Sequence, residues 1–185
     1  MGARDGPCED ARFNCPMGLV VDQFGYLVVA DFSNSKIRYV SMTAGSLCTK
    51  VETISGFFSS TSEIDDKWHF DAHRKIARIN HPSSVCVDTD GNIIVADTHN
   101  NVLRVIRGSC GRVVTIAGGP QGLGVLADGS APLRQKTVDG RGASVRFNKP
   151  FHVMVDSQGI VHVLENSNEG SVRRLRLGVQ CCEND

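Results

Sequence analysis

The chain is short of the features that define several large protein classes. Its longest apolar runs are five or six residues, whereas a bilayer-spanning helix needs roughly 20. Charge of either sign is not in excess: 20 Lys and Arg balance 20 Asp and Glu. That balance removes the simplest argument for a nucleic-acid-binding domain, a strongly basic surface. No Gly-x-Ser-x-Gly nucleophile elbow occurs, and the glycine-rich stretch GGPQGLG (118–124) lacks the Lys and Ser/Thr of a phosphate loop. Seven cysteines make an odd count without a C-x-x-C pair, so neither a redox motif nor a dense disulfide framework is expected. With 41% apolar and 22% charged residues over 185 positions, the composition is that of an ordinary globular protein.

Repetition is what the chain has in abundance. VVADFSNSKIRYV (28–40) has a near double in VADTHNNVLRVI (95–106) and a looser one in VLENSNEGSVRRL (163–175). Placing Pro16, Pro82 and Pro150 in register aligns ARFNCP, ARINHP and VRFNKP, then LVVD, VCVD and VMVD, at intervals of 66 and 68 residues. Such a period means that each copy is one unit that buries its apolar face only by stacking on its neighbours.

Within each copy the signals are those of strands. LVVD, VCVD and VMVD are short, β-branched and apolar on both faces. Asp22, Asp88 and Asp156 each begin an Asp-x-x-Gly turn suited to a hairpin. A second strand follows (YLVVAD, NIIVAD, IVHVLE), then a polar link carrying Asn34, Asn100 or Asn168, then a third strand (KIRYV, VLRVI, SVRRLRL). Copies one and two add a fourth strand, VETIS (51–55) and VVTIAG (113–118). The only competing helical stretch is DKWHFDAHRKIARI (66–79), which fits a short helix within a loop. Repeated four-stranded meanders predict an all-β protein of the β-propeller type. Three blades are expected, at about 16–56, 82–118 and 150–185, with the last one incomplete.

The pattern F-N-x-P, apolar-V-D-x-x-G, then V-A-D-x-x-N-x-x-apolar-R resembles the NHL repeat. Copies one and two match it almost position by position, while copy three has Glu165 in the aspartate position. The resemblance implies a propeller, usually of six blades. Three blades do not close a ring, and two open blade faces would cost on the order of 10 kcal/mol in exposed apolar surface. The expectation is therefore a homo-oligomer, a partner chain carrying further blades, or a longer polypeptide. The echo of Asp5-Gly6 in Asp139-Gly140 places the first residues inside an inter-blade connection.

The long connections 57–81 and 119–149 are expected to share a rim with the Asn34 and Asn100 links, and loops of that length are usually functional. Candidate binding residues on this rim are Asn34, Lys36, Trp68, His69, His73, Arg74, His99, Asn100 and Arg141, facing a protein or peptide partner. Asp31 and Asp97 invite a catalytic reading, but their repetition assigns them to blade architecture, accepting from the following link or pairing with Arg38 and Arg104. The resemblance also implies two alternatives: RNA binding, and a metal-dependent lyase or lactonase with an axial site. The rim segments (1–15, 56–81, 118–149) hold 11 basic against 9 acidic residues, a weak footing for RNA. His69 and His73 have i, i+4 spacing without an evident third ligand, and at the axial positions His152 stands against Gly18 and Ser84. No cofactor or metal is assigned. Cys86 is read as a buried small hydrophobe and Cys8 with Cys15 as a possible pair. Cys48, Cys110 and Cys181 are read as too distant to bridge one another, a pattern that favours a reducing compartment, with the neighbouring Cys181 and Cys182 left as a link between chains.

Overall fold

The computed structural model of the chain describes residues 1–43, 47–56, 71–118, 137–166 and 170–176. Three antiparallel sheets lie side by side. The first contains β1 (Gly6–Pro7), β2 (Pro16–Val21), β3 (Leu27–Asp31), β4 (Lys36–Met42) and β5 (Cys48–Ser55). Its order is β1-β5-β4-β3-β2. The second contains β6 (Ala72–His73), β7 (Pro82–Val87), β8 (Ile93–Asp97), β9 (Val102–Ile106) and β10 (Arg112–Ala117), in the equivalent order. The third consists of β11 (Pro150–Val155), β12 (Ile160–Glu165) and β13 (Ser171–Arg176). The fold is all-β, as the strand periodicity predicts. Among the described residues no helix is long and apolar enough to cross a membrane.

Turn chemistry explains each first hairpin. Oδ1 of Asp22 accepts the amides of Phe24 and Tyr26, both at 2.9 Å. Asp88 and Asp156 repeat this with Asp90 and Asn92 and with Gln158 and Ile160. The closing glycines Gly25, Gly91 and Gly159 take φ of 83°, 77° and 73°, a region that costs glycine nothing.

The sheets pack face to face, β2 against β7 and β7 against β11. Val28, Ala30 and Ile37 from the first blade share one core with Val85, Val95 and Ile106 from the second. The opposite face of the second blade, with Ile94, Ala96, Leu103 and Val105, shares another with Val153, Val161 and Val163 from the third. Strands whose two faces lie in different cores carry apolar residues on both, which is why IIVAD and VLRVI show no alternation apart from the buried Asp97 and Arg104. Approach is closest at the inner strands. A Cβ added to Gly18 would lie 2.8 Å from the carbonyl oxygen of Ser83 and from the Ser84 Cα, so only glycine fits there.

Two differences from the sequence reading concern the blade edge. Blades one and two have five strands, because the connection entering each blade adds a two-residue strand, β1 or β6, outside the fourth. Residues 71–79, the described part of the expected helix, form β6 and a turn in which the amides of Ile76 and Ala77 reach the His73 carbonyl. Pairing with the open edge of β10 satisfies backbone groups that a short isolated helix would leave at its ends.

The same edge corrects the cysteine reading. Cys8 is bridged to Cys48, with Cα atoms 5.9 Å apart, and Cys15 is free and exposed. The β1–β5 pairing brings the two together by matching Gly6 with Val51 and Pro7 with Lys50. This bridge removes the basis for favouring a reducing compartment, since disulfides persist in oxidising ones. Cys86 is buried on β7 as expected, and burial raises its thiol to about 12. Replacing Cys8 with Ser is expected to lower unfolding free energy by about 2–4 kcal/mol. Urea denaturation with and without reductant checks this: reductant should reproduce the loss in the native chain and add nothing in the variant.

Candidate functional site

The acidic and basic residues repeated along the chain converge inside the blades. Arg38 and Arg104 are fully buried, as are Asp31 and Asp97. Arg38 Nη1 donates to Asp31 Oδ2 at 2.9 Å, and Arg104 Nη1 to Asp97 Oδ2 at 3.2 Å. Each arginine has a second carboxylate. Arg38 Nη2 lies 2.6 Å from Asp5, and Arg104 Nη2 lies 2.7 Å from Asp71. Each also donates to a connection carbonyl, that of Arg12 or Arg78. In the third blade Arg173 reaches Asp139 at 2.6 Å, Glu165 at 3.7 Å and the Arg146 carbonyl. Glu165, the departure from the aspartate pattern, fills the same place with a longer side chain.

Asp31 and Asp97 are therefore ties. Their Oδ1 atoms accept the Asn14 and Asn80 amides, both at 2.8 Å, and the Asn34 and Asn100 side chains donate to the same Oδ2 atoms as the arginines. Burial raises the Asp97 carboxyl to about 6, against the opposing pull of Arg104, Asn100 and Asn80. Asp5, Asp71 and Asp139 escape a motif search because they sit in the variable connections. Their own signal is spacing, since they repeat at the same 66 and 68 intervals as the prolines.

Of the sequence-derived rim residues, Asn34, Lys36, His99 and Asn100 gather at the links. These links are short 3-10 turns, Phe32–Asn34 and Thr98–Asn100, each closed by a left-handed residue, Ser35 or Asn101. Asn34 donates to Asp31 and to the Gly2 carbonyl, both at 2.7 Å. Asn100 is buried and donates to Asp97 at 2.8 Å. Lys36 Nζ reaches the Gly56 carbonyl at 3.0 Å, and partial burial lowers its pKa. These three side chains hold the rim, and His99 is exposed on it.

His73 and Arg74 lie elsewhere. The Arg74 amide donates to the Gly111 carbonyl in the β9–β10 turn, which neighbours the Asp88–Gly91 turn on the opposite rim. The connection descends along β10 before returning to Pro82, so it visits both rims rather than only the link side. Arg141 is exposed at the start of the 3-10 turn Gly142–Ser144. Trp68 and His69 lie outside the described residues, as does most of GGPQGLG. Among the described residues no three His, Cys, Asp or Glu side chains gather as a metal site.

Around His99 the structure assembles a patch with no counterpart in the motif. The His81 and His99 rings stack at 4.2 Å with 18° between planes. Phe32 meets both edge-on, at 4.9 and 5.6 Å. Burial lowers the His81 pKa, while burial, His81 and Lys149 together lower that of His99. His81 and Lys149 point from left-handed backbone, φ 50° and 53°, just before the aligned prolines. Their amides are caught by Ser35 Oγ and Asn101 Oδ1 of the preceding blade, at 3.1 and 2.7 Å. Left-handed backbone at non-glycine residues costs about 1–2 kcal/mol, and here inter-blade hydrogen bonds offset it.

The model of the NHL repeat matches residues 80–106, which include the end of the connection and β7 to β9. No curated protein matches the chain. Three solved structures share its fold. A structural genomics protein of unknown function from Bacteroides thetaiotaomicron has a TM-score of 0.60 at 23% identity, covering 82% of this chain and 32% of its own. An auxiliary nutrient binding protein from Bacteroides ovatus has a TM-score of 0.63 at 20% identity, covering 84% and 36%. A putative phosphatase from Bacteroides thetaiotaomicron has a TM-score of 0.64 at 19% identity, covering 88% and 34%. The chain thus spans about a third of the length of these matched proteins.

Two outcomes follow from this geometry. Arg104→Met strands two carboxylates and is expected to cost about 3–5 kcal/mol, whereas Lys50→Met, breaking an exposed pair with Glu52, costs under about 1 kcal/mol. Chemical denaturation of both variants checks the contrast. Because His81 and His99 bind protons less readily folded than unfolded, stability is expected to rise with pH up to the ordinary histidine range near 6.5. Melting curves from about two pH units below that value to about one above it should show this slope flattened in His81→Gln/His99→Gln. Residues 80–106 match the NHL repeat, and the described sheets stack as blades of β-propeller fold.

Proposed function

We propose that the protein is a non-enzymatic binding scaffold that offers the link-side rim of an NHL-type propeller to a protein or peptide partner. The observation that carries this reading is the Phe32, His81, His99 and Lys149 patch. It joins flat, partly apolar rings to one cation, on backbone fixed by inter-blade hydrogen bonds. Rigid aromatic surface beside a charge is the composition of protein-binding hot spots. The repeated Asp and Arg side chains, which would be the first candidates for catalysis, are occupied in holding the blades. A solved structure of similar fold is named a nutrient binding protein, which fits a binding role for this architecture. The ring is completed by further blades, from oligomerisation or from other polypeptide.

Selection of a random peptide library on the immobilised chain tests the reading. Selected peptides are expected to bind the Phe32→Ala/His99→Ala variant about tenfold or more weakly, and to bind an Asp90→Ala variant on the opposite rim unchanged. Peptides indifferent to both, or stoichiometric zinc or calcium in the purified protein, would replace the scaffold reading with a different one.

A further inference from the structure

The two junctions between the described blades provide a template for the uncovered outer faces of the first and third. At each internal junction the face of one blade toward the next meets that blade's face toward the previous one. The same positions are exposed on the outer faces. Leu19 is 67% exposed where its equivalent Val85 is 4%, and Val172 is 69% exposed where Ile37 and Leu103 are 0%. Met154 is 51% exposed where Cys86 is 8%. The first blade thus presents a face shaped to receive a preceding blade, and the third a face shaped to receive a following one.

We propose that the third blade of one copy docks on the first blade of a second copy, so that two chains close one ring through two identical head-to-tail junctions. This rests on reading the chain as an open propeller wedge. Three features match the third blade to the first. At the innermost position the template packs Gly18 on the Ser83–Ser84 backbone. At the second junction Ser84 Oγ meets His152 Nδ1 at 3.1 Å and the Val153 amide at 3.2 Å. Across the open junction the exposed His152 would face the backbone of the Gly18 strand.

Further out, Arg74 of the entering connection acts on the Tyr39 hydroxyl at the first junction. The equivalents across the open junction are Arg174, exposed beside Arg176, and the Cys8–Asp10 turn, which carries Glu9 and Asp10. Arg174 and Arg176 would thus meet Glu9 and Asp10, with Arg12 donating to the Glu9 carbonyl beside them. Between these points lies an apolar hollow of about 420 Å³ lined by Phe151, Leu164 and Val172. Ile79 and Phe147 share cores with the residues equivalent to its walls, and Phe13 is their counterpart on the first blade. Matching of the third blade to the first within one sequence is what self-assembly requires.

Light scattering on the full chain tests the proposal. The native chain is expected at twice its 20.0 kDa mass. Arg174→Glu/Arg176→Glu alone, and Glu9→Lys/Asp10→Lys alone, are expected to weaken dimerisation about tenfold or more through like-charge contact. Mixing the two variants restores both junctions, because each then pairs opposite charges, and a mixed dimer should form at native affinity. Circular dichroism confirms that each variant is folded. A native monomer, an oligomer other than a dimer, or variants that stay apart on mixing would overturn the proposal. A dimer with peptide binding abolished, or a monomer with peptide binding intact, separates its failure from that of the rim reading.

Discussion

Everything in this molecule depends on one buried arrangement, an arginine held between two carboxylates. Arg38 and Arg104 lie in the third meander strand, Asp31 and Asp97 end the second, and Asp5 and Asp71 come from the connection outside the blade. One guanidinium thereby fixes two neighbouring strands and the incoming chain. A buried ion pair is a poor source of net stability, because desolvating both charges offsets most of their attraction. Its value here is positional: a blade without its connection would leave a buried arginine facing half its partners. The wrong pairing is penalised more than the right one is rewarded.

That arrangement places the apolar faces. Once the connection is held, Ala77 and Ile79 enter the core between the first two blades, and Val145 and Phe147 enter the core between the second and third. Each blade thus receives its neighbour on a surface made partly of its own connection. The second blade, covered on both sides, is apolar on both faces apart from buried polar groups such as the paired Arg104 and Asp97, and the outer faces of the first and third are the same surfaces uncovered. On the link-side rim the strain of left-handed backbone at His81 and Lys149 is offset by inter-blade hydrogen bonds, which set the rings of Phe32, His81 and His99 against one another.

Much of this was legible in the sequence because strand periodicity, Asp-x-x-Gly turns and a repeat near 66 residues are all local or regular signals. The pairing of Asp31 with Arg38 could be read because the two lie seven residues apart in a repeated phrase. Asp5 and Asp71 could not be read the same way, since no fixed phrase surrounds them and only their interval betrays them. The Cys8–Cys48 bridge was hidden for a related reason. It depends on β1, a two-residue strand with no periodicity, whose pairing is decided by the open edge of β5. His99 was singled out, but its neighbours Phe32 and His81 come from another blade and from a connection, and only blade packing unites them.

Amide hydrogen exchange along the chain held monomeric by Arg174→Glu/Arg176→Glu tests the central claim most directly. Stacked blades with uncovered outer faces predict slowest exchange in β8 and β9, with β3, β4 and β12 faster at equivalent hydrogen-bonded positions. Uniform protection across the three sheets, or an outer blade slower than the second, would contradict the account.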